Sequence, residues 1–145
     1  MTPRIARVNR LIAVRERVLD RTRTTRAQAE QALLVAEAER EDLASQHVAV
    51  ATQDPAVESV SDLEAHRGRI DTLRRATDAA SKVVARLGKT HDAALEAVVA
   101  SRREVRKLEM FRAGVEETET EAAQRADRNR DDEHAARSSG ARRRP

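Results

Sequence analysis

The sequence predicts an all-α fold: two long helices folded back on each other as an antiparallel coiled-coil hairpin. Three observations lead there. Ala, Glu, Lys, Leu and Arg supply 80 of the 145 residues, a share typical of long helices and coiled coils. One Phe, no Trp and no Tyr leave the chain without the large side chains that dominate globular cores. The third is a seven-residue apolar repeat through the second half of the chain, which needs only one partner helix to cover it.

The first helix is expected to start near Pro3 and run to about residue 48. Pro55 in "HVAVATQDPAVESVSDLE" removes a backbone donor and crowds the preceding turn, so the helix must end between Ala44 and Ala51. Its apolar stripe reads Ile5, Val8, Leu11, Ile12, Val18 and Leu19, then Ala29, Leu33, Ala36 and Leu43, passing Arg15, Thr22, Arg26 and Arg40. A loop over 49–60 follows. Ser61 with Glu64 three residues on has the spacing of a capping box, in which each side chain satisfies a backbone donor at a helix start. The second helix is expected over 61–137, with Gly88 a weak point inside it and a disordered basic tail, "SSGARRRP", from 138.

The second helix shows what it packs against. Steps of seven from Leu63 give Ile70, Thr77, Val84, His91, Val98, Val105 and Arg112; steps of seven from His66 give Leu73, Ala80, Leu87, Ala94, Ser101, Leu108 and Val115. Eleven of these sixteen positions are apolar, and a seam that narrow buries itself against a single helix. Helix one supplies the length, so the chain closes its own seam and its N-terminus comes to lie beside residues near 105, with Val105 and Leu108 near Ile5 and Val8.

The net charge is only +3, yet it is divided into blocks. Residues 1–26 carry +6, 27–66 carry −8, 67–112 carry +6 and 113–145 carry −1. In an antiparallel hairpin the two positive blocks meet at the open end. Arg4, Arg7 and Arg10 then lie beside Arg102, Arg103, Arg106 and Lys107, with Phe111 as an apolar anchor in a basic surface. At the loop end, Val48, Val50, Val57 and Val60 sit within the acidic block. Exposed apolar side chains in a field of one sign mark a partner site, although the same valines can simply close the end of the coil. Past Val115 nothing apolar is larger than Ala, so 116–137 extends unsupported or orders on a partner.

Catalysis finds no footing in this pattern. The four His residues are scattered, and His66 and His91, though both on the seam, are 25 residues apart, about 37 Å along one helix. They read as polar positions that fix register. With no cysteine there are no disulfides or thiolate metal sites, and no cofactor is expected. The charged N-terminus "MTPRIARVNR" and the lack of any 18-residue apolar run point to a soluble cytoplasmic protein without membrane insertion. A pI near 10.1 suits phosphate contacts, so nucleic-acid binding is one alternative and a generic scaffold coil another. Interspersed acids and missing stacking aromatics weigh against nucleic acid.

The stretch "SRREVRKLEMFRAGVEETETEAAQRADRNRDDEHAARSS" resembles the type III secretion stalk proteins, of FliJ and SctO type, from flagella and injectisomes. Arg102 and Arg103, then Lys107, Leu108 and Glu109, and later Asp132 and Glu133 stand at the positions of that family's basic run and late acidic pair. The resemblance implies a two-helix coil without catalytic activity, peripheral to the inner-membrane secretion apparatus. Its coil ends would sit in the pore of a hexameric secretion ATPase, through Arg4, Arg7, Arg10, Arg102, Arg103, Arg106, Lys107 and Phe111. Its turn end would reach an export gate protein or export chaperones through Val48, Val50, Val57 and Val60.

Overall fold

The computed structural model describes residues 2–141. It contains two helices, α1 (Pro3–Thr52) and α2 (Val60–Ala141), and no strand among the described residues. The fold is the expected all-α helical hairpin. Thr2 caps α1: its hydroxyl accepts from the Ile5 amide at 3.4 Å and its carbonyl from the Ala6 amide at 3.1 Å. Pro3 occupies the first helical position, where a missing N–H costs nothing.

The link is shorter than expected, residues 53–59, and Pro55 lies inside it. The capping box falls two residues before the expected Ser61 and Glu64. Ser59 Oγ accepts from the Asp62 amide at 3.2 Å and donates to the Asp62 carboxylate at 2.9 Å, which also accepts from the Glu58 amide at 3.2 Å. Ser59 and Ser61 each have an acid three residues on. The earlier pair caps because the shorter aspartate side chain folds back on the turn, leaving Ser61 inside the helix. The tail expected from residue 138 is in α2 as far as Ala141, and residues 142–145 lie outside the described residues.

Contacts divide the chain into two units, one joining residues 2–18 to 102–141 and the other spanning 19–101. In the second, α1 and α2 pair on either side of the loop around buried Leu19, Ala36, His66, Ala94 and Val98. In the first, Val8 and Ile12 are buried with Val105 and Val115. Here Thr2 meets Glu119, Arg4 meets Phe111, and Arg15 acts on Glu104. This antiparallel register puts Val105 opposite Ile12 and Ile5 opposite the turn of Arg112 and Val115. It lies about one turn from the expected placement of Val105 and Leu108 beside Ile5 and Val8.

On α2, each of the sixteen heptad positions from Leu63 to Val115 is buried or half-buried. On α1 the expected stripe needs correction. Leu11 is 51% exposed and Val18 36% exposed. Most of the buried or half-buried positions instead follow 5, 8, 12, 19, 22, 26, 29, 33, 36, 43, 47 and 50, a seven-residue step that takes Thr22, Arg26 and His47 into the seam, with 6, 9, 37 and 44 half-buried beside it. A helix with one partner buries two positions per heptad, and Leu11 and Val18 stand one residue, or 100°, off that line. Arg26 fits by laying its stem along the seam and reaching Glu30, 3.9 Å away, with its head.

Two outcomes check this packing. Val98 is 3% exposed, so Val98→Asp leaves an unpaired charge in the seam and lowers stability by about 3 kcal/mol or more in urea unfolding, while exposed Leu34→Asp changes it by roughly 0.5 kcal/mol or less. A Cβ added at Gly88 meets nothing within 4 Å and the backbone there is helical, so Gly88→Ala raises stability by roughly 0.5–1 kcal/mol.

Candidate partner-binding site

All eight residues expected at the basic end fall in the unit formed by 2–18 and 102–141. Arg4, Arg7, Arg10, Arg102, Arg103, Arg106, Lys107 and Phe111 are all exposed. The structure divides them between sides of the pair. On α2, Glu104, Lys107 and Phe111, spaced by three and four, form one flank of the seam residues Val105 and Leu108. Arg102 and Arg106 form the other, and Arg103 points away from the seam. Arg4 joins the Phe111 flank, its guanidinium carbon 5.9 Å from the ring centroid. A cation over an aromatic face holds both groups at the surface.

Among the described residues, ion pairs elsewhere consume many bases: Arg23 with Asp20, Arg74 with Asp71, Arg112 with Glu116, Arg125 with Glu121. None involves Arg4, Arg7, Arg10, Arg15, Arg17, Arg102, Arg103 or Arg106. Their charges are therefore not paired with a carboxylate in contact, which is the condition for long-range attraction of an anionic surface. Lys107 is the exception, 2.7 Å from the Glu104 carboxylate. Lys107, through its hydrogen bond and its charge, holds the Glu104 carboxyl below its ordinary 4.5, with Arg15 adding to the effect.

Two features of this end escaped sequence reasoning. The Thr2 hydroxyl donates to the Glu119 carboxylate at 2.7 and 2.9 Å, bringing a negative charge to the positive end of α1. Nothing local in the sequence marks a pair so far apart. The second is an exposed apolar line on α1, Leu11, Val14 and Val18, visible only once the buried register is known.

At the loop end, in residues 19–101, Val48, Val57 and Val60 are exposed and Val50 is half-buried. Val50 lines a shallow groove with Ala65, Gly68 and Leu73 and so belongs to the coil, whereas Val60, 74% exposed, covers nothing. Farther along this unit, Ala32, Val35, Ala36, Val83 and Leu87 line an open apolar groove between the helices. His66 is buried, and His91 has a buried Nε2 with no hydrogen-bond partner. Among the described residues no group of three or more His, Asp or Glu is placed to hold a metal ion, and no helix is long and apolar enough to cross a membrane.

The geometry defines a helical-hairpin protein with exposed arginines that make no ion pair among the described residues at its basic end, and with exposed apolar side chains there and at the loop end. The chain belongs to the FliJ family: the model of the flagellar FliJ protein matches residues 5–144, nearly the whole sequence. It matches no curated protein and no solved structure. The family is a non-catalytic component of the flagellar export apparatus, and membership supports a flagellar or type III export-related role for the chain.

The Glu104 contact yields a titration test. A carboxyl held low contributes stability above the unfolded value and loses it as pH falls through the folded one, so this contribution disappears only in acid below 4.5. In carboxyl carbon NMR, Glu104 titrates below 4.5, and Lys107→Ala moves its midpoint up. Titration of Glu104 at 4.5 or above in the unaltered protein means the contact is not formed in solution.

Proposed function

We propose that the protein is the non-catalytic central stalk of a type III secretion export ATPase, with its basic end in the pore of the hexamer. The observation that carries this reading is the gathering of Arg4, Arg7, Arg10, Arg102, Arg103 and Arg106 from both helices into one unit, exposed and without ion pairs. A pore lined by acidic or polar loops attracts such an end. A single asymmetric coil inside a sixfold ring touches the six subunits unequally. By favouring one subunit's conformation at a time, it promotes assembly of the ring and orders the firing of its sites while doing no chemistry itself. The loop end, with Val48, Val57 and Val60 exposed, meets the export gate or a chaperone. The protein works in the cytoplasm, at the inner-membrane secretion apparatus.

The test uses Arg102→Glu with Arg103→Glu. Both side chains lie off the seam, so circular dichroism and melting stay unchanged, and stimulation of the hexameric ATPase falls to background. Stimulation that persists at low salt, where such contacts are strongest, rules out the pore contact. A parallel titration with duplex DNA separates the nucleic-acid reading, which requires binding that weakens steeply as salt is raised.

A further inference from the structure

Helix α1 carries a second heptad line. In residues 2–18 the buried line is 5, 8, 12; one residue earlier at each step runs Arg4, Arg7, Leu11, Val14 and Val18, at intervals of three, four, three and four. The three apolar members are 51%, 54% and 36% exposed. This spacing is what one helix presents to another, yet α2 covers only the buried line. Among the described residues only Arg4 of this second line meets α2, at the Phe111 ring, and its apolar members stay exposed.

Its borders show what chemistry covers it. Arg10 and Arg17 run along its outer edge at the same spacing, and neither makes an ion pair among the described residues. Arg4 and Arg15 run along its inner edge. On the α2 side the face ends at Phe111, beneath the Arg4 guanidinium, and at Glu104, whose charge Lys107 and Arg15 already compensate. Glu16, the one acid in residues 2–18, lies on the far side of the helix. The face is thus an apolar line of two turns between rows of arginine.

We infer that this face docks an acidic amphipathic helix of a partner protein, its apolar a and d side chains on Leu11, Val14, Val18 and Phe111 and its carboxylates on Arg7, Arg10, Arg15 and Arg17. Charge complementarity selects an acidic partner, and heptad spacing selects a helix. An anionic membrane surface is a poorer occupant, since an interfacial helix offers a wide apolar arc, whereas here the neighbouring arc, Val8 and Ile12, is buried against α2. The inference rests on the reading of this end as partner-facing and supplies the partner's chemistry. It does not require that partner to be the ATPase, and Arg102 and Arg103, which test the pore contact, are not part of this face.

The probe is a synthetic three-heptad peptide with Leu at a and d and Glu at e and g, whose own like charges oppose self-pairing. It is titrated against the full chain with the methyl signals of Leu11, Val14 and Val18 as readout. The peptide shifts those three signals. Replacing Leu11, Val14 and Val18 together with Ser leaves helicity and melting unchanged and weakens binding by on the order of tenfold or more, and a peptide with Lys at e and g binds more weakly by a similar factor. Should the Ser variant lose helicity, Arg10→Glu with Arg17→Glu decides, because it reverses the preference in favour of the Lys peptide. The inference is overturned if the Glu peptide leaves the three methyl signals unmoved, if the folded Ser variant binds it equally well, or if the two peptides bind alike. It is equally overturned if phosphatidylglycerol vesicles, and not the peptide, bind through these residues.

Discussion

Everything in this molecule depends on a seam only two positions wide. Each helix has one partner, so each heptad buries about two side chains, and among the described residues no side chain reaches complete burial. A buried valine or leucine contributes about 1.5–3 kcal/mol, and such a seam gains stability by length rather than depth. Most side chains of either helix then remain at the surface. A protein built this way does not enclose a pocket for chemistry, but it can present long, regular faces to other proteins. The absence of large aromatics, which leaves a globule without a core, costs a coil nothing, because Val, Leu, Ile and Ala fill a narrow seam well.

The polar members of the seam are the less stabilising part of it. His66 is 7% exposed, His91 keeps a buried Nε2 and Arg26 a buried Nε without a hydrogen-bond partner among the described residues, and the buried Arg112 Nε has only Glu116, 3.6 Å away. A buried polar atom without a partner costs roughly 1–3 kcal/mol, so none of these positions is there for stability alone. Polar positions in coiled-coil seams are known to specify register at a cost in stability. A shift by one heptad would place an arginine or histidine against an apolar side chain that now faces another apolar one. Arg26 and Arg112 limit the cost by extending toward Glu30 and Glu116.

How far the sequence reveals this depends on the helix. On α2, leucine, valine and alanine recur at steps of seven with few interruptions, and the line read from them is the line that is buried. On α1, Arg15, Arg26 and Arg40 stand at steps of seven along the seam and look like gaps, Arg26 half-buried and the other two exposed, while Leu11 and Val18, one residue off, look like members. Hydrophobicity alone cannot choose between the two lines, because a long basic side chain can lie along a seam with its head outside it. The helix start was misplaced for a related reason: Ser59 and Ser61 both offer the capping spacing, and only the hydrogen bonds distinguish them. Of the candidate surfaces, the basic end was legible from charge blocks and antiparallel pairing. The exposed line of Leu11, Val14 and Val18 was not, since it is defined by what the neighbouring line buries. The Thr2–Glu119 bond, 117 residues apart in sequence, depends on a pairing register about one turn from the expected one.

The end of α2 follows from the same constraint. Beyond Glu119 no residue of α1 is left to pair with in this unit, and residues 120–138 are all exposed. That stretch is held by its backbone ladder, its alanines and pairs such as Arg125 with Glu121 and Arg130 with Asp127, each worth roughly 0.2–0.5 kcal/mol. An isolated helix of this length is marginal in water, and its order derives from continuity with the packed part of α2, where Val115 is buried and Glu119 binds Thr2. Because α1 begins at the Val115–Glu119 turn, a partner that grips the start of α1 also steadies the base of the unpaired α2 segment. Through this one turn the unpaired segment of α2 is tied to the start of α1.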